Sequence, residues 1–250
     1  MVFKLTLAGA LAVGVIALVL RYYGPPGTLV MLERKLQGES IDYRPVRLDG
    51  ISENLVLAVI AAEDTKFCDH IGFDFEAIEM ALEDAAEGKR QRGASTLSQQ
   101  TAKNVFLWNG GGWFRKGLEV PFTLVIEGAW PKARTLEVYL NIAEWGDGIF
   151  GAEAAAQRRF NKSAKDLTRR EAALLAAVLP SPNKWRVDPP GRYVSRRTET
   201  LIKRMEVVKR EKLAECVLDP EAFAARQAEK RAKEKAAKEK EQAAKAKEKP

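Results

Sequence analysis

The chain has 250 residues, 46% of them hydrophobic and 30% charged, with 41 Lys and Arg against 34 Asp and Glu and a formal net charge of +7. That is a globular composition with enough length for one substantial core, and the positive balance points to anionic partners: nucleic acid, lipid head groups or phosphorylated substrates. Two cysteines, Cys68 and Cys216, and a single histidine, His70, exclude a Cys/His metal signature; whether the two thiols pair stays open, because pairing needs geometry and an oxidising compartment.

The first element is LTLAGALAVGVIALVL, residues 5–20, sixteen uncharged residues between Lys4 and Arg21, with Tyr22 and Tyr23 following. As a helix it covers roughly 24 Å, slightly short of a bilayer core of about 30 Å. Val2, Phe3 and the interfacial tyrosines extend it. A cleaved signal peptide needs small residues after the apolar run, and RYYGPPG is bulky there, so the expectation is a membrane anchor over residues 1–23. GPPG breaks it from a stalk over residues 24–51. Within the stalk TLVMLERKL reads as a short helix capped by Thr28, and GESIDYRPVRLDGIS reads as extended or looped.

Ser52 is placed as the N-cap that opens a compact domain over residues 52–217. An eight-residue apolar run, LVLAVIAA, leads from it to Glu63 and Asp64. FEAIEMALEDAAEG has apolar residues at Phe75, Ile78 and Leu82 and a glycine stop. STLSQQTAKNVFL begins with a cap, EVPFTLVIEGAW is mostly apolar, and ARTLEVYLNIAEW runs into the glycine-rich GDGIFG. AEAAAQRRF and TRREAALLAAVL are further helices. Sustained alternation is scarce, so the fold class is mostly α. The tail, residues 218–250, is low in complexity. From residue 221 on it holds ten Lys and Arg against six Glu, so much of the positive charge lies outside the compact part. Glu229/Lys233, Glu234/Lys238 and Glu241/Lys245 are spaced for i,i+4 pairs, and the absence of an apolar stripe predicts a solvated, partly helical segment.

Three stretches offer chemistry. The run before Glu63 is apolar on every face, which marks a buried helix; a carboxylate at its end loses water, which raises its pKa and makes it a better base near neutrality. Taken alone, Glu63 and Asp64 read more simply as a frayed helix end. RGASTLSQQTAKN crowds Ser95, Thr96, Ser98, Gln99 and Gln100 ahead of Lys103, a face suited to a sugar or a phosphate or simply to solvent; the spacing of a phosphate-binding P-loop is absent. WFRKGLEVPFTLVIE sets Arg115 and Lys116 beside Glu119, either a surface ion pair of little worth or a diphosphate clamp next to a second carboxylate. NVFLWNGGGWF places aromatics around three glycines and reads as a contact with a membrane interface.

Together these stretches resemble the peptidoglycan glycosyltransferases, the domain at the head of class A penicillin-binding proteins that also exists as a free-standing, membrane-anchored enzyme. The resemblance rests on EDTKFCDHIGFD, GASTLSQQTAKN, RKGLE, RTLEVYLNIAEWGDGIFGAEAAAQRRF and EAALLAAVLPSPNKW, in that order; with no penicillin-binding domain following, the monofunctional form is the nearer likeness. It implies a lysozyme-like, two-lobed α domain on an N-terminal transmembrane helix in the inner membrane, single-pass, with the catalytic domain on the periplasmic side. The implied reaction joins the 4-hydroxyl of an acceptor lipid II to the anomeric carbon of a growing glycan chain, whose undecaprenyl diphosphate leaves. Glu63 would then be the general base and Glu119 a second carboxylate near the leaving group. Lys103, Arg115 and Lys116 would hold the diphosphate, while Ser95, Gln99 and Gln100 would line the donor site. His70 becomes a structural turn residue.

Family enzymes often use a divalent cation, Mg or Mn, at the diphosphate, but the sequence shows no metal site. The implied partners are lipid II, the nascent glycan, membrane lipids and other cell wall synthesis proteins, with no nucleic acid. One departure stands out: NGGG precedes RKGLE where relatives commonly carry an extra Arg. A lytic transglycosylase of lysozyme-like fold, which also needs one Glu of raised pKa but no diphosphate clamp, and a non-enzymatic anchored scaffold are the competing expectations.

Overall fold

The computed structural model describes the backbone of residues 2–89 and 93–247 and the side chains of residues 9, 11–89 and 93–239. The side chains that begin the expected anchor and those of the Glu241/Lys245 pair lie outside the described residues. The chain is mostly helical: α1 Val2–Tyr22, α2 Leu29–Leu36, α3 Glu53–Glu63, α4 Phe75–Ala86, α5 Leu97–Phe106, α6 Gly112–Ala129 and α7 Lys132–Ile142. Then come α8 Ala152–Phe160, α9 Arg169–Val178, α10 Arg192–Arg210, α11 Glu215–Leu218 and α12 Pro220–Lys247. Three short strands, β1 Asp42–Tyr43, β2 Glu144–Gly146 and β3 Ile149–Phe150, make a sheet ordered β1-β3-β2, with β1 parallel and β2 antiparallel to β3.

Local chemistry accounts for five of the helix starts. Thr28 Oγ1 accepts from Met31 N, Ser52 Oγ from Asn54 N, and Asp74 Oδ1 from Ala77 N. Thr96 with Gln99, and Thr168 with Glu171, form complete capping boxes, each satisfying two N–H groups that the first helical turn leaves open. The buried apolar side chains fall into two clusters. The larger joins α3 to α9 and α10, with Leu55, Ile60, Leu140, Trp145, Leu175 and Leu201 among its members. The smaller gathers Leu20, Met31, Ile126, Trp130 and Ile142. Residues 55–61 of α3 are all buried, as the uninterrupted apolar run demands.

Several expectations need correction. The seventh helix stops at Ile142, not Trp145. Ala143 takes extended backbone, and residues 144–150 fold back as the β2–β3 hairpin. Gly148 makes the turn possible: its φ is +67°, and a Cβ there would lie 2.2 Å from the Ser40 carbonyl oxygen. α4 forms as expected, but its apolar residues do not face a core: Phe75 and Leu82 are 76% and 67% exposed. α10 was not singled out from the sequence, although Val194, Thr198, Leu201, Met205 and Val208 form a helical stripe that is wholly buried.

α1 is a 21-residue helix. Leu11, Val15, Ile16, Leu18 and Val19 are exposed, while Ala17 and Leu20 are buried and the backbone carbonyl of Ala17 accepts from Trp130 Nε1 at 2.7 Å. Among the described residues no helix is long and apolar enough to cross a membrane. α12 is solvated as expected, with a Glu229–Lys233 pair at 2.5 Å.

Cys68, in the loop after α3, and Cys216, on α11, form a disulfide with Cα atoms 5.6 Å apart, linking positions 148 residues apart. A link across so long a stretch removes much freedom from the unfolded chain, worth about 3–5 kcal/mol. Replacing Cys216 by Ser is expected to lower stability by that order in chemical denaturation, with reductant reproducing the loss in the wild type and leaving the variant unchanged.

Candidate active site

The apolar faces of α3 are consumed by α9 and α10, so the helix ends inside the protein and its last residue, Glu63, has a side chain only 13% exposed. Burial raises its pKa above the ordinary 4.5, the nearby charge of Asp64 adds to the rise, and a hydrogen bond from Gln100 and the charge of Arg197 oppose it. Gln100 Nε2 donates to Glu63 Oε2 at 2.9 Å, and Arg197 Nη2 of α10 lies 3.9 Å from Glu63 Oε1. Tyr139 of α7 donates its hydroxyl to Gln100 Oε1 at 3.2 Å.

Asp64, left open by the sequence, has a structural task. Its carboxylate accepts from His70 Nε2, with both oxygens at 3.0 Å, and from Leu97 N at 2.9 Å. It thus ties the loop over residues 64–74 to the first turn of α5, and His70 is the turn residue the sequence suggested. Thr96 Oγ1 adds a bond to the Gly72 carbonyl at 2.6 Å. Gly72 has φ +82°, and a Cβ there would meet Thr123 Cγ2 at 2.7 Å, so this approach requires glycine.

The second carboxylate, Glu119 on α6, is 3% exposed and lies between two cations. Arg115 Nη1 bonds Oε1, and Lys116 Nζ lies 2.7 Å from Oε2. Lys116 also donates to Ser95 Oγ at 2.8 Å. Lys103, half-buried one turn beyond Gln99 and Gln100, has its pKa lowered by burial and then by Arg115, with Glu119 pulling the other way. α5 therefore connects the two carboxylates: Gln100 reaches Glu63, Ser95 reaches Lys116, and Lys103 feels the Arg115–Glu119 cluster. A polar cavity of about 230 Å³ opens beside it, lined among others by Gln100, Lys103, Asn104, Asn109, Tyr139 and Glu144. A larger cavity of about 800 Å³, between the end of α1 and α7, contains neither Glu63 nor Glu119.

Of the sequence-selected residues, Gln99 is the one used elsewhere: it is buried, and its Oε1 accepts from Thr96 N in the capping box. Ser98 packs α5 against α6 by donating to Glu127, which also holds Lys132 at 2.8 Å. In the NVFLWNGGGWF stretch, Leu107 is buried and Phe106 stacks on Phe122 at 4.9 Å, contrary to a purely external role, while Trp113 and Phe114 are 90% and 73% exposed. Tyr139 and Arg197 were missed. Tyr139 lies in a stretch quoted for the resemblance, but nothing local marks its hydroxyl, and Arg197 reaches Glu63 only through tertiary packing. Glu119 already holds two cations, and among the described residues no group of three or more His, Cys, Asp or Glu could hold a metal; a cation at the expected diphosphate would draw most of its ligands from the substrate's phosphates.

A helical protein with one desolvated carboxylate at the end of α3 and a cluster of cations on α5 and α6, both touched by α5 and the residues just before it, has the make-up of a group-transfer site for an anionic substrate. The chain belongs to the transglycosylase family, whose sequence model matches residues 31–206. It is similar to three proteins named biosynthetic peptidoglycan transglycosylase. That of Rhodospirillum centenum is 55% identical over 216 residues, 86% of this chain and 94% of the relative. Those of Caulobacter vibrioides and Pseudomonas aeruginosa are 52% and 51% identical, each covering 81% of this chain and 89% and 90% of theirs.

The raised pKa of Glu63 has a consequence for stability. The folded state binds this proton more tightly than the unfolded chain, so the contribution is fully present below 4.5 and is lost as the pH rises through the folded value. Glu63→Gln removes a charge that is costly to bury. It is expected to melt higher than the wild type near neutrality, with the gap closing as the pH falls to about 4, as read by thermal melts across that range.

Proposed function

We propose that this protein polymerises lipid II into glycan strands for the cell wall, as a membrane-anchored peptidoglycan glycosyltransferase. The observation that carries the reading is Glu63: a carboxylate desolvated at the end of a buried helix and held by one neutral amide donor. In the proposed reaction Glu63 removes the proton from the acceptor's 4-hydroxyl as that oxygen attacks the anomeric carbon of the donor chain. The bond from that carbon to the lipid diphosphate breaks, and the electron pair leaves with the diphosphate. Lys103, Arg115 and Lys116 take up the charge, so no acid is needed on the leaving group. Ser95 and Gln100 line the donor side. Glu119 holds two of the cations in place beside it. A cluster of this kind is of no use to a glycan-cleaving enzyme, which favours synthesis over lysis.

The membrane placement draws on α1. Its uncharged sequence and the exposed Leu11, Val15, Ile16, Leu18 and Val19 suit lipid contact. Exposed Trp113 and Phe114 supply a second apolar contact. The Cys68–Cys216 disulfide fits an oxidising compartment, which supports a domain on the outer face of the inner membrane.

The full-length protein in detergent is expected to convert labelled lipid II into polymer resolved by gel electrophoresis. Glu63→Gln is expected to lower that rate by about 10²–10⁴-fold, the usual worth of a general base. Wild-type polymerisation persisting in the variant would remove Glu63 from this role. Cleavage of mature glycan without polymerisation would overturn synthesis itself.

A further inference from the structure

We propose that Tyr139 is a positioning residue that fixes the Gln100 amide so that its NH2, and not its carbonyl oxygen, faces Glu63. The inference rests on Glu63 being the base. A glutamine amide is nearly symmetric in shape, and its two ends have opposite meanings for a carboxylate: the NH2 favours the ionised form, the oxygen the protonated one. Something must choose between them. The Tyr139 ring is buried at 2% exposure, and its hydroxyl has Gln100 Oε1, 3.2 Å away, as its hydrogen-bond partner among the described residues. Burial, and then the charge of Glu63, hold the phenol's pKa well above its ordinary 10.0, so it keeps its proton and acts as donor. The phenol oxygen could also accept from an NH2, but with the amide reversed the buried hydroxyl proton would lose the acceptor it has in Gln100 Oε1. Gln100 Nε2 is thereby turned to Glu63 Oε2 at 2.9 Å.

The charges facing Glu63 are few. Asp64 beside it disfavours ionisation, Arg197 from α10 favours it, and Tyr139 from α7 is neutral. The charged residues of α9 are engaged elsewhere: Arg169 with Glu206, Arg170 with Glu199 and Glu171 with Lys162. In such a setting the direction of one amide dipole matters. Without the phenol hydroxyl the amide is free to rotate, and the base spends more of its time protonated.

The test is the pH dependence of lipid II polymerisation, measured as kcat/KM for wild type, Tyr139→Phe, Gln100→Ala, the double variant and Glu63→Gln. Tyr139→Phe deletes one atom from a ring of unchanged shape, and thermal melts check that the fold is kept. Its acid limb is expected to move to higher pH by about half a unit, roughly a threefold loss below the limb, with activity regained on the alkaline side. Gln100→Ala should move the limb at least as far, and adding Tyr139→Phe to it should move the limb no further, since the hydroxyl acts only through the amide. An unmoved limb, a loss equal at every pH, or additive shifts in the double variant would overturn the proposal. Those outcomes with an inactive Glu63→Gln would remove only the role of Tyr139, whereas a fully active Glu63→Gln would remove the base itself.

Discussion

The placement of a carboxylate at the end of a helix that is buried on every side is the constraint on which the rest depends. α3 gains its stability by losing water, and Glu63 shares that loss. Burial alone pushes the pKa of such a group up. The surroundings offset only part of the penalty. Gln100 supplies one hydrogen bond, Arg197 supplies a charge at a distance of 3.9 Å that stops short of a tight ion pair, and Asp64 works against both. A close salt bridge would oppose the rise more strongly, and no partner at all would leave burial unopposed. The arrangement lies between these limits.

Such a balance needs a rigid frame, and the loop over residues 64–74 is where rigidity is concentrated. Asp64 binds both the ring of His70 and the backbone of Leu97, so the residue after the base is fixed to the helix that carries Gln100. Gly72 lets the loop close on α6 where any side chain would collide with Thr123. The disulfide at Cys68 then fastens the loop to α11. These restraints act on one short loop from three directions. Its polar residues thus serve geometry.

How much of this was legible in the sequence follows from the range of each interaction. Caps at Thr28 and Ser52, and the buried run of α3, are decided within a few residues and read correctly, while the cap expected at the start of STLSQQTAKNVFL falls one residue later, on Thr96. The selection of Glu63, Glu119, Lys103, Arg115 and Lys116 came from ordered motifs, and the structure places Lys103, Arg115, Lys116 and Glu119 within electrostatic reach of one another. What failed was set by distant partners. The β2–β3 hairpin ends α7 early because residues 144–150 pair across a turn that Gly148 permits against Ser40, far back in the chain. α4 carries an apolar stripe, yet no described element covers it. Gln99 looked equivalent to Gln100 as one of two adjacent amides; the capping box takes one and Glu63 the other. Arg197 carries no local mark at all.

The two carboxylates of the site differ in what surrounds them, and that difference is itself an argument about the chemistry. Glu63 meets a neutral amide and one distant guanidinium, an environment in which a proton can be gained and lost. Glu119 is pressed between Arg115 and Lys116, an environment that orders cations. In a glycosidase both carboxyl groups flank the scissile bond, one as acid and the other as base or nucleophile. Here one carboxylate lies apart from close cations and the other is paired with two. Such asymmetry suits a reaction whose nucleophile must be deprotonated while its leaving group departs as an anion. Ser95, just before α5, and Lys103, within it, meet the cationic cluster, and Gln100 between them reaches Glu63, so one short segment carries contacts to both carboxylates. A segment that touches both carboxylates fixes their relative position, and fixed position is what transfer between an acceptor and an anionic leaving group requires.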